Sequence, residues 1–144
     1  MTADRSTIFA FDFGLRQIGV AVGNRARGSS EALTVLKAKE GQPDWQALEA
    51  LIDEWQPAQL IVGEPLNMDG SDSELAERAR KFGRRLNGRL GLPVAMMDER
   101  LSSFEAKSRL QAQGHRGDYR RAPADAEAAA LILASWLREQ PSDA

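Results

Sequence analysis

The order of the apolar patterns along the chain places the strongest constraint on its fold. Three strand-like segments follow one another near the N-terminus, at residues 8–14, 18–23 and 32–37. Helical and strand patterns then alternate, at residues 44–55, 59–63, 71–87, 94–98, 102–113 and 123–138. A run of strands followed by helix–strand alternation is typical of a mixed sheet with helices on both faces. The sequence therefore predicts one α/β domain over residues 1–144 whose sheet has five strands.

Turn and capping residues set the expected helix boundaries. Residues 41–43 contain glycine and proline and should break the chain before the first helix. A capping box at residues 71–74 should open the long second helix, and Gly88 should stop it. The three tryptophans are expected to pack in the core because they lie among leucine and isoleucine at helical spacing: Trp45, Trp55 and Trp136.

A single carboxylate, Asp12, interrupts the first apolar segment between two phenylalanines. Burying a charged group costs several kcal/mol unless the charge is paired or bound to a cation. Metal binding would explain the position of Asp12. Capping of the hairpin turn that Gly14 permits is the alternative, and this segment alone leaves both open.

Further acids stand where other elements end or begin: Glu64, Asp98, Glu99 and Asp125. If the first, fourth and fifth strands are neighbours, these acids and Asp12 should gather at one edge of the sheet. Carboxylates at close range raise each other's pKa, and a divalent cation relieves this repulsion. Individually, each acid is equally compatible with a solvated loop or a helix start.

The chain has no cysteine and only one histidine, His115, so thiolate metal sites are excluded. Oxygen ligands favour hard cations such as Mg²⁺ or Mn²⁺. The N-terminus lacks an apolar signal stretch, and no apolar run is long enough to span a membrane. We therefore expect a cytoplasmic protein without membrane contact.

The net charge of -2 hides a strongly basic middle block. Residues 78–121 contain 12 Lys and Arg but only four Asp and Glu, and ten of the 12 are arginine. Such a block can neutralise a polyphosphate backbone, and arginine suits phosphate recognition. An ordinary solvated helix face is the alternative interpretation.

Four segments resemble, in this order, the YqgF/RuvX family: residues 12–21, 62–70, 98–103, and Asp125 with the alanine-rich residues after it. This family is described as Holliday junction resolvase-like nucleases and as pre-16S rRNA nucleases, with an RNase H-like fold. The resemblance covers nearly the whole chain. It implies a bacterial cytoplasmic hydrolase that cleaves phosphodiester bonds with Mg²⁺ or Mn²⁺ in 5′-end maturation of pre-16S rRNA.

Carried over by motif, the resemblance makes Asp12, Glu99 and Asp125 the catalytic and metal-binding acids. Glu64 stands where many members have an apolar residue, so it is either an additional metal ligand or a tolerated variant. Residues 122–124 also depart from the family's basic and branched residues, which makes the position of Asp125 the least secure of the three.

For the mechanism, we expect Asp12 to bridge two divalent ions that activate water and stabilise charge on the phosphate. His115 as a general base is an alternative. Five arginines are expected to bind the substrate phosphates: Arg16, Arg100, Arg116, Arg120 and Arg121.

Three other functions remain open from the sequence. The first is a Holliday junction resolvase acting on branched DNA, and the second is an RNA-binding RNase H-like module without catalysis. The third, an actin-like kinase or ATPase, is disfavoured because the chain is short and has no second glycine-rich phosphate loop. The sequence leaves monomer and homodimer open.

Overall fold

The computed structural model describes residues 6–67, 69–71, 73–98 and 124–139. Its strands are β1 (Thr7–Asp12), β2 (Gln17–Asn24), β3 (Ser29–Lys39), β4 (Gln42–Pro43), β5 (Gln59–Glu64) and β6 (Val94–Asp98). They form one sheet in the order β4-β3-β2-β1-β5-β6. Strands β1 to β4 pair antiparallel in succession, whereas β5 pairs parallel with both β1 and β6. The predicted mixed sheet is confirmed.

The sheet has six strands rather than the predicted five. The additional strand, β4, pairs Pro43 with Ala38 and Gln42 with Lys39 at the end of β3. The sequence predicted only a break before the first helix at this point. Strand β4 was not predicted because two residues are too few to show an alternating pattern. Pro43 is tolerated because this short strand lies at the edge of the sheet.

Within the described residues, three helices pack on the sheet: α1 (Trp45–Trp55), α2 (Glu74–Leu90) and α3 (Ala124–Glu139). The Asp44 side chain caps α1, and the Ser73 hydroxyl accepts a hydrogen bond from the backbone of Ala76 at the start of α2. The expected stop at Gly88 is wrong, because α2 continues to Leu90 and ends at Gly91. Gly91 has a φ of 68°, the left-handed conformation that favours glycine after a helix. The helix expected at residues 102–113 lies outside the described residues.

Alternate residues of the strands build two apolar layers on opposite faces of the sheet. On one face, Phe11 and Phe13 pack with α1 and α2 around Phe82, at ring-centroid distances of 5.6 and 5.4 Å. On the other face, Ile8 and Ala10 of β1 pack against α3. Helices therefore cover both faces, as predicted.

The tryptophan prediction is confirmed in part. Trp136, a residue of α3, is buried, and Trp45 is half-buried beside Phe82. Trp55 is 38% exposed, so its assignment to the core is wrong. Trp55 continues the apolar spacing of α1, but it is the last residue of the helix. Within the ranges that the structure describes, no helix is long and apolar enough to cross a membrane.

Candidate active site

Three carboxylates end the three parallel neighbours of the sheet. Asp12, Glu64 and Asp98 are the last residues of β1, β5 and β6. The register pairs Phe11 with Val62 in the first two strands and Glu64 with Asp98 in the other two. The strand ends that carry these acids therefore lie at one edge of the sheet, as predicted.

Asp12 lies on the face of the sheet that α3 covers. It follows Ile8 and Ala10 in the alternation of β1, and both of those residues pack in the α3 layer. Its partner across the antiparallel pair is Gly19 of β2. Asp12 is half-buried, so its carboxylate is partly withdrawn from water without being sealed from it.

Gly19 brings the start of α3 directly against the strand beside Asp12. A Cβ at Gly19 would overlap the backbone carbonyl of Asp125 and would lie 2.8 Å from the backbone nitrogen of Ala126. Only a residue without a side chain permits this approach. The first turn of α3 therefore lies next to Asp12, and Asp125 belongs to the same face of the sheet.

Gln17 fixes the Asp125 side chain from the same strand. Its amide nitrogen donates a hydrogen bond to the Asp125 carboxylate, which lies 108 positions further along the chain. Gln17 and Gly19 thus hold the side chain and the backbone of one acid, respectively. Among the predicted acids that the structure describes, Asp12 and Asp125 are the furthest apart in sequence. They nevertheless lie on the same face of the sheet, at the same edge.

Glu64 lies on the opposite face. Its neighbours two and four positions back, Val62 and Leu60, belong to the layer under α1 and α2. The Glu64 carboxylate accepts a hydrogen bond from the Arg80 guanidinium of α2 at 2.7 Å, and the two side chains are 19% and 26% exposed. Glu64 therefore shares the strand-end edge with Asp12 but is directed to α2.

Asp12 and Asp125 supply hard oxygen donors of the kind that Mg²⁺ and Mn²⁺ prefer. Within residues 6–67, 69–71, 73–98 and 124–139, no group of three or more Asp, Glu or His is arranged to hold a metal ion. Glu99, the third acid predicted for the site, follows Asp98 directly and lies outside the described residues. The donor chemistry of Asp12 and Asp125 fits a hard cation.

Among the predicted phosphate-binding residues, Arg16 is described. It lies exposed in the turn between β1 and β2, four positions after Asp12 and therefore next to the same edge. The other predicted contacts fall outside the described ranges: Arg100, Arg116, Arg120, Arg121 and the alternative base His115.

Sequence reasoning missed Gly19 and Gln17. A signal for Gly19 was present, because Gly19, Ala21 and Gly23 place small residues at every second position of β2. Alternating small residues indicate a strand face that another backbone approaches closely. At Gly23 an added Cβ would lie 2.6 Å from a Leu133 methyl group of α3, so the close contact extends along the helix. No comparable signal marked Gln17.

The family model described as RuvX, Holliday junction resolvase, matches residues 6–139. The chain belongs to the RuvX family. The family resemblance seen in the sequence is thereby confirmed.

Close relatives of this RuvX member carry a provisional name, pre-16S rRNA nuclease. The protein of Pseudomonas paraeruginosa is 57% identical over 99% of this chain and 100% of its own length. The protein of Azotobacter vinelandii is 56% identical over 94% of this chain and 95% of its own length.

Two solved structures share the fold. Thermus thermophilus RuvC in complex with a Holliday junction substrate is 18% identical, with a TM-score of 0.52 over 92% of this chain and 94% of that one. The yeast mitochondrial Holliday junction resolvase is 11% identical, with a TM-score of 0.53 over 96% and 80%. At these identities the likeness concerns the fold alone, and it confirms the RNase H-like fold class.

Proposed function

We propose that this RuvX protein is a divalent-metal-dependent nuclease that hydrolyses phosphodiester bonds in 5′-end processing of pre-16S rRNA. One observation carries the proposal: Gly19, the β2 partner of Asp12, lets the start of α3 lie against β2, which puts Asp125 on the same face of the sheet edge as Asp12. The provisional name of the relatives supports the substrate.

In this proposal Asp12, Asp125 and Glu99 hold Mg²⁺ or Mn²⁺. When bound, the metal lowers the pKa of a coordinated water and stabilises negative charge on the phosphate. Asp12 is held rigidly because it ends a strand that is paired on both sides. Gln17 orients Asp125 through its hydrogen bond, and Arg16 binds a phosphate beside the scissile one.

Glu64 is outside this proposed site because it pairs with Arg80 on the other face. Arg100, Arg116, Arg120 and Arg121 remain proposed phosphate contacts. The proposal places the enzyme in the bacterial cytoplasm, where ribosomal RNA precursors are processed, and it holds for a monomer or a homodimer.

A second candidate function is resolution of Holliday junctions. The description of the family model favours it. Paired cuts across a four-way junction require two active sites related by symmetry, which this function would obtain from a homodimer. Precursor RNA and junction DNA must therefore be compared under the same conditions.

The test measures cleavage of a labelled RNA that spans the 5′ end of 16S rRNA and of a labelled four-way DNA junction, each with Mn²⁺, Mg²⁺ or EDTA. The wild type should cleave the RNA only with metal. Asp12→Asn, which keeps the size and removes the charge, should lower the rate on the order of a thousandfold. Asp53→Asn, at an exposed position of α1, removes the same charge and should cleave like the wild type.

Wild-type turnover by Asp12→Asn would contradict the proposed chemistry. Metal-dependent cleavage of the junction alone would establish the second candidate. RNA binding without any metal-dependent cleavage would show a binding module and would overturn both catalytic functions.

A further inference from the structure

We propose that the groove between α2 and β6 binds a single-stranded segment of the nucleic acid at a distance from the candidate active site. This inference rests on the proposed function, because it assigns a second contact to the same substrate. The groove lies on the α2 face of the sheet, whereas Asp12 and Asp125 lie on the α3 face.

The groove has an apolar floor and a cationic rim. Its volume is about 480 Å³, and its lining residues are Arg80, Gly83, Arg84, Asn87, Val94 and Met96. Gly83 lets α2 approach the strand, since a Cβ there would lie 3.3 Å from the Met96 sulfur and 3.4 Å from a Val94 methyl group. The volume is in the range of small-ligand pockets. A nucleobase fits this chemistry because it presents flat apolar faces, and guanidinium groups stack on such faces.

A second depression of about 340 Å³ continues the groove along α2. It shares Arg80 and Arg84 with the first and adds Arg78 and Lys81. Glu74 and Glu77 also line it, and Glu74 lies 3.8 Å from Arg78. Lys81 and Arg84 are exposed and form no ion pair within the part of the chain that the structure describes. These two cations are therefore available to an anionic ligand.

The cations follow the helix in a row that starts near the strand-end edge. Arg78, Lys81 and Arg84 are three residues apart, so each step rises about 4.5 Å along the helix axis. The Ser73 hydroxyl donates a hydrogen bond to the Pro65 carbonyl at 2.6 Å, which ties the start of α2 to the segment after β5. A nucleic-acid strand that passes the sheet edge at Asp12 can therefore continue along α2. Its phosphates would then lie at Lys81 and Arg84, and one base would lie over Val94 and Met96.

An acidic peptide would also match the positive charge. The apolar floor favours a nucleic acid, because a base provides a flat face for Met96 and Arg84 together with the adjacent phosphate. Phosphate contacts of this kind act on every sequence and weaken as the salt concentration rises.

The experiment measures the Kd of a fluorescent 12-nucleotide RNA, and of DNA with the same sequence, at several salt concentrations in EDTA. Arg84→Gln should raise the Kd about fivefold near 0.1 M salt and lower the salt slope by about 0.7, the value of one single-strand phosphate contact. Lys81→Gln with Arg84→Gln should lower the slope by about 1.4. Arg84→Lys should keep the slope because the charge is retained.

Arg27→Gln is the matched control. It removes one exposed arginine in the turn between β2 and β3, at the end of the sheet opposite Asp12. Its Kd should stay within about twofold of the wild-type Kd, because diffuse charge contributes less than a phosphate contact.

Equal Kd values for Arg84→Gln and Arg27→Gln would overturn the inference. The two proposals fail separately because the binding assay contains no divalent metal. A wild type that cleaves RNA although Arg84→Gln binds normally contradicts only the groove. Weaker binding by Arg84→Gln in a protein that never cleaves contradicts only the nuclease proposal.

Discussion

The two faces of the sheet pack their helices in different ways. Under α1 and α2, large aromatic side chains fill the space, with Phe82 in contact with Phe11, Phe13 and Trp45. Under α3, strand β2 contributes Gly19, Ala21 and Gly23. The backbone at the start of the helix therefore lies directly against the backbone of β2.

The aromatic face is suited to stabilise the fold, whereas the α3 face is suited to position the proposed catalytic acids. Aromatic layers contribute large buried areas and tolerate small adjustments of side chains. A backbone contact has no such tolerance, because neither partner can rotate away. The α3 face is therefore suited to hold an acid in a fixed position, and that face contains both Asp12 and Asp125.

The largest effect should be the difference in cleavage rate between variants of the two strand-end acids, Asp12 of β1 and Glu64 of β5. Asp12→Asn should lower metal-dependent cleavage on the order of a thousandfold, about 4 kcal/mol in activation free energy. Glu64→Gln should leave the rate roughly unchanged, because Glu64 pairs with Arg80 on the other face. Initial rates in a Mn²⁺ titration provide the measurement. If Glu64→Gln needs as much additional Mn²⁺ as Asp12→Asn, both faces contribute to one metal site.

The next effect concerns the contact between β2 and α3. Gly19→Ala should destabilise the protein by about 2–3 kcal/mol, because the new methyl group overlaps backbone that cannot move aside. It should also lower cleavage per folded molecule, since Asp125 moves with the helix. Denaturant unfolding and cleavage rates are measured together. Gly88→Ala in α2 is the control: among the described residues, no atom beyond the neighbouring backbone of α2 itself lies within 4 Å of the added Cβ, and stability should rise by about 0.5–1 kcal/mol.

A smaller effect should appear in the aromatic layer, with the opposite signature. Phe82→Leu removes the ring contacts and should cost about 1–2 kcal/mol of unfolding free energy. Its cleavage rate per folded molecule should match that of the wild type, because α3 is not displaced. A Phe82→Leu enzyme that is stable but slow would show that the aromatic layer also positions the acids.

The smallest effect should come from the exposed side of α2. The Arg89 guanidinium lies 4.3 Å from the Trp45 ring centre and 3.3 Å from a Glu49 carboxylate oxygen. The Arg89 and Glu49 side chains are about half exposed, so Arg89→Gln should cost about 0.5–1 kcal/mol. Unfolding at low and high salt separates the screened ion pair from the ring contact. An equal loss in Arg27→Gln would indicate a general charge effect instead.

The element order could be predicted because each element carries its own periodic pattern. The fifth predicted strand, residues 94–98, matches β6 residue for residue, since Pro93 marks its start. The end of α2 could not be placed from local signals, because both Gly88 and Gly91 are suitable stops. Strand β4 was missed because two residues show no period.

The candidate site was less accessible to sequence reasoning. Strand ends predicted where acids gather, and Asp12, Glu64 and Asp98 are found there. The face that each acid occupies depends on the register between distant strands, which a single sequence does not encode locally. The opposite directions of Asp12 and Glu64 therefore became visible only in the structure. The same holds for the hydrogen bond from Gln17 to Asp125.

The pairing of β1 and β2 with the start of α3 has a consequence for protein synthesis. The ribosome makes the hairpin that carries Asp12 before the helix that carries Asp125. A nascent chain with a complete β1–β2 hairpin consequently lacks one acid of the proposed catalytic pair until α3 has been synthesised. Cleavage activity should then emerge only in chains that extend through α3.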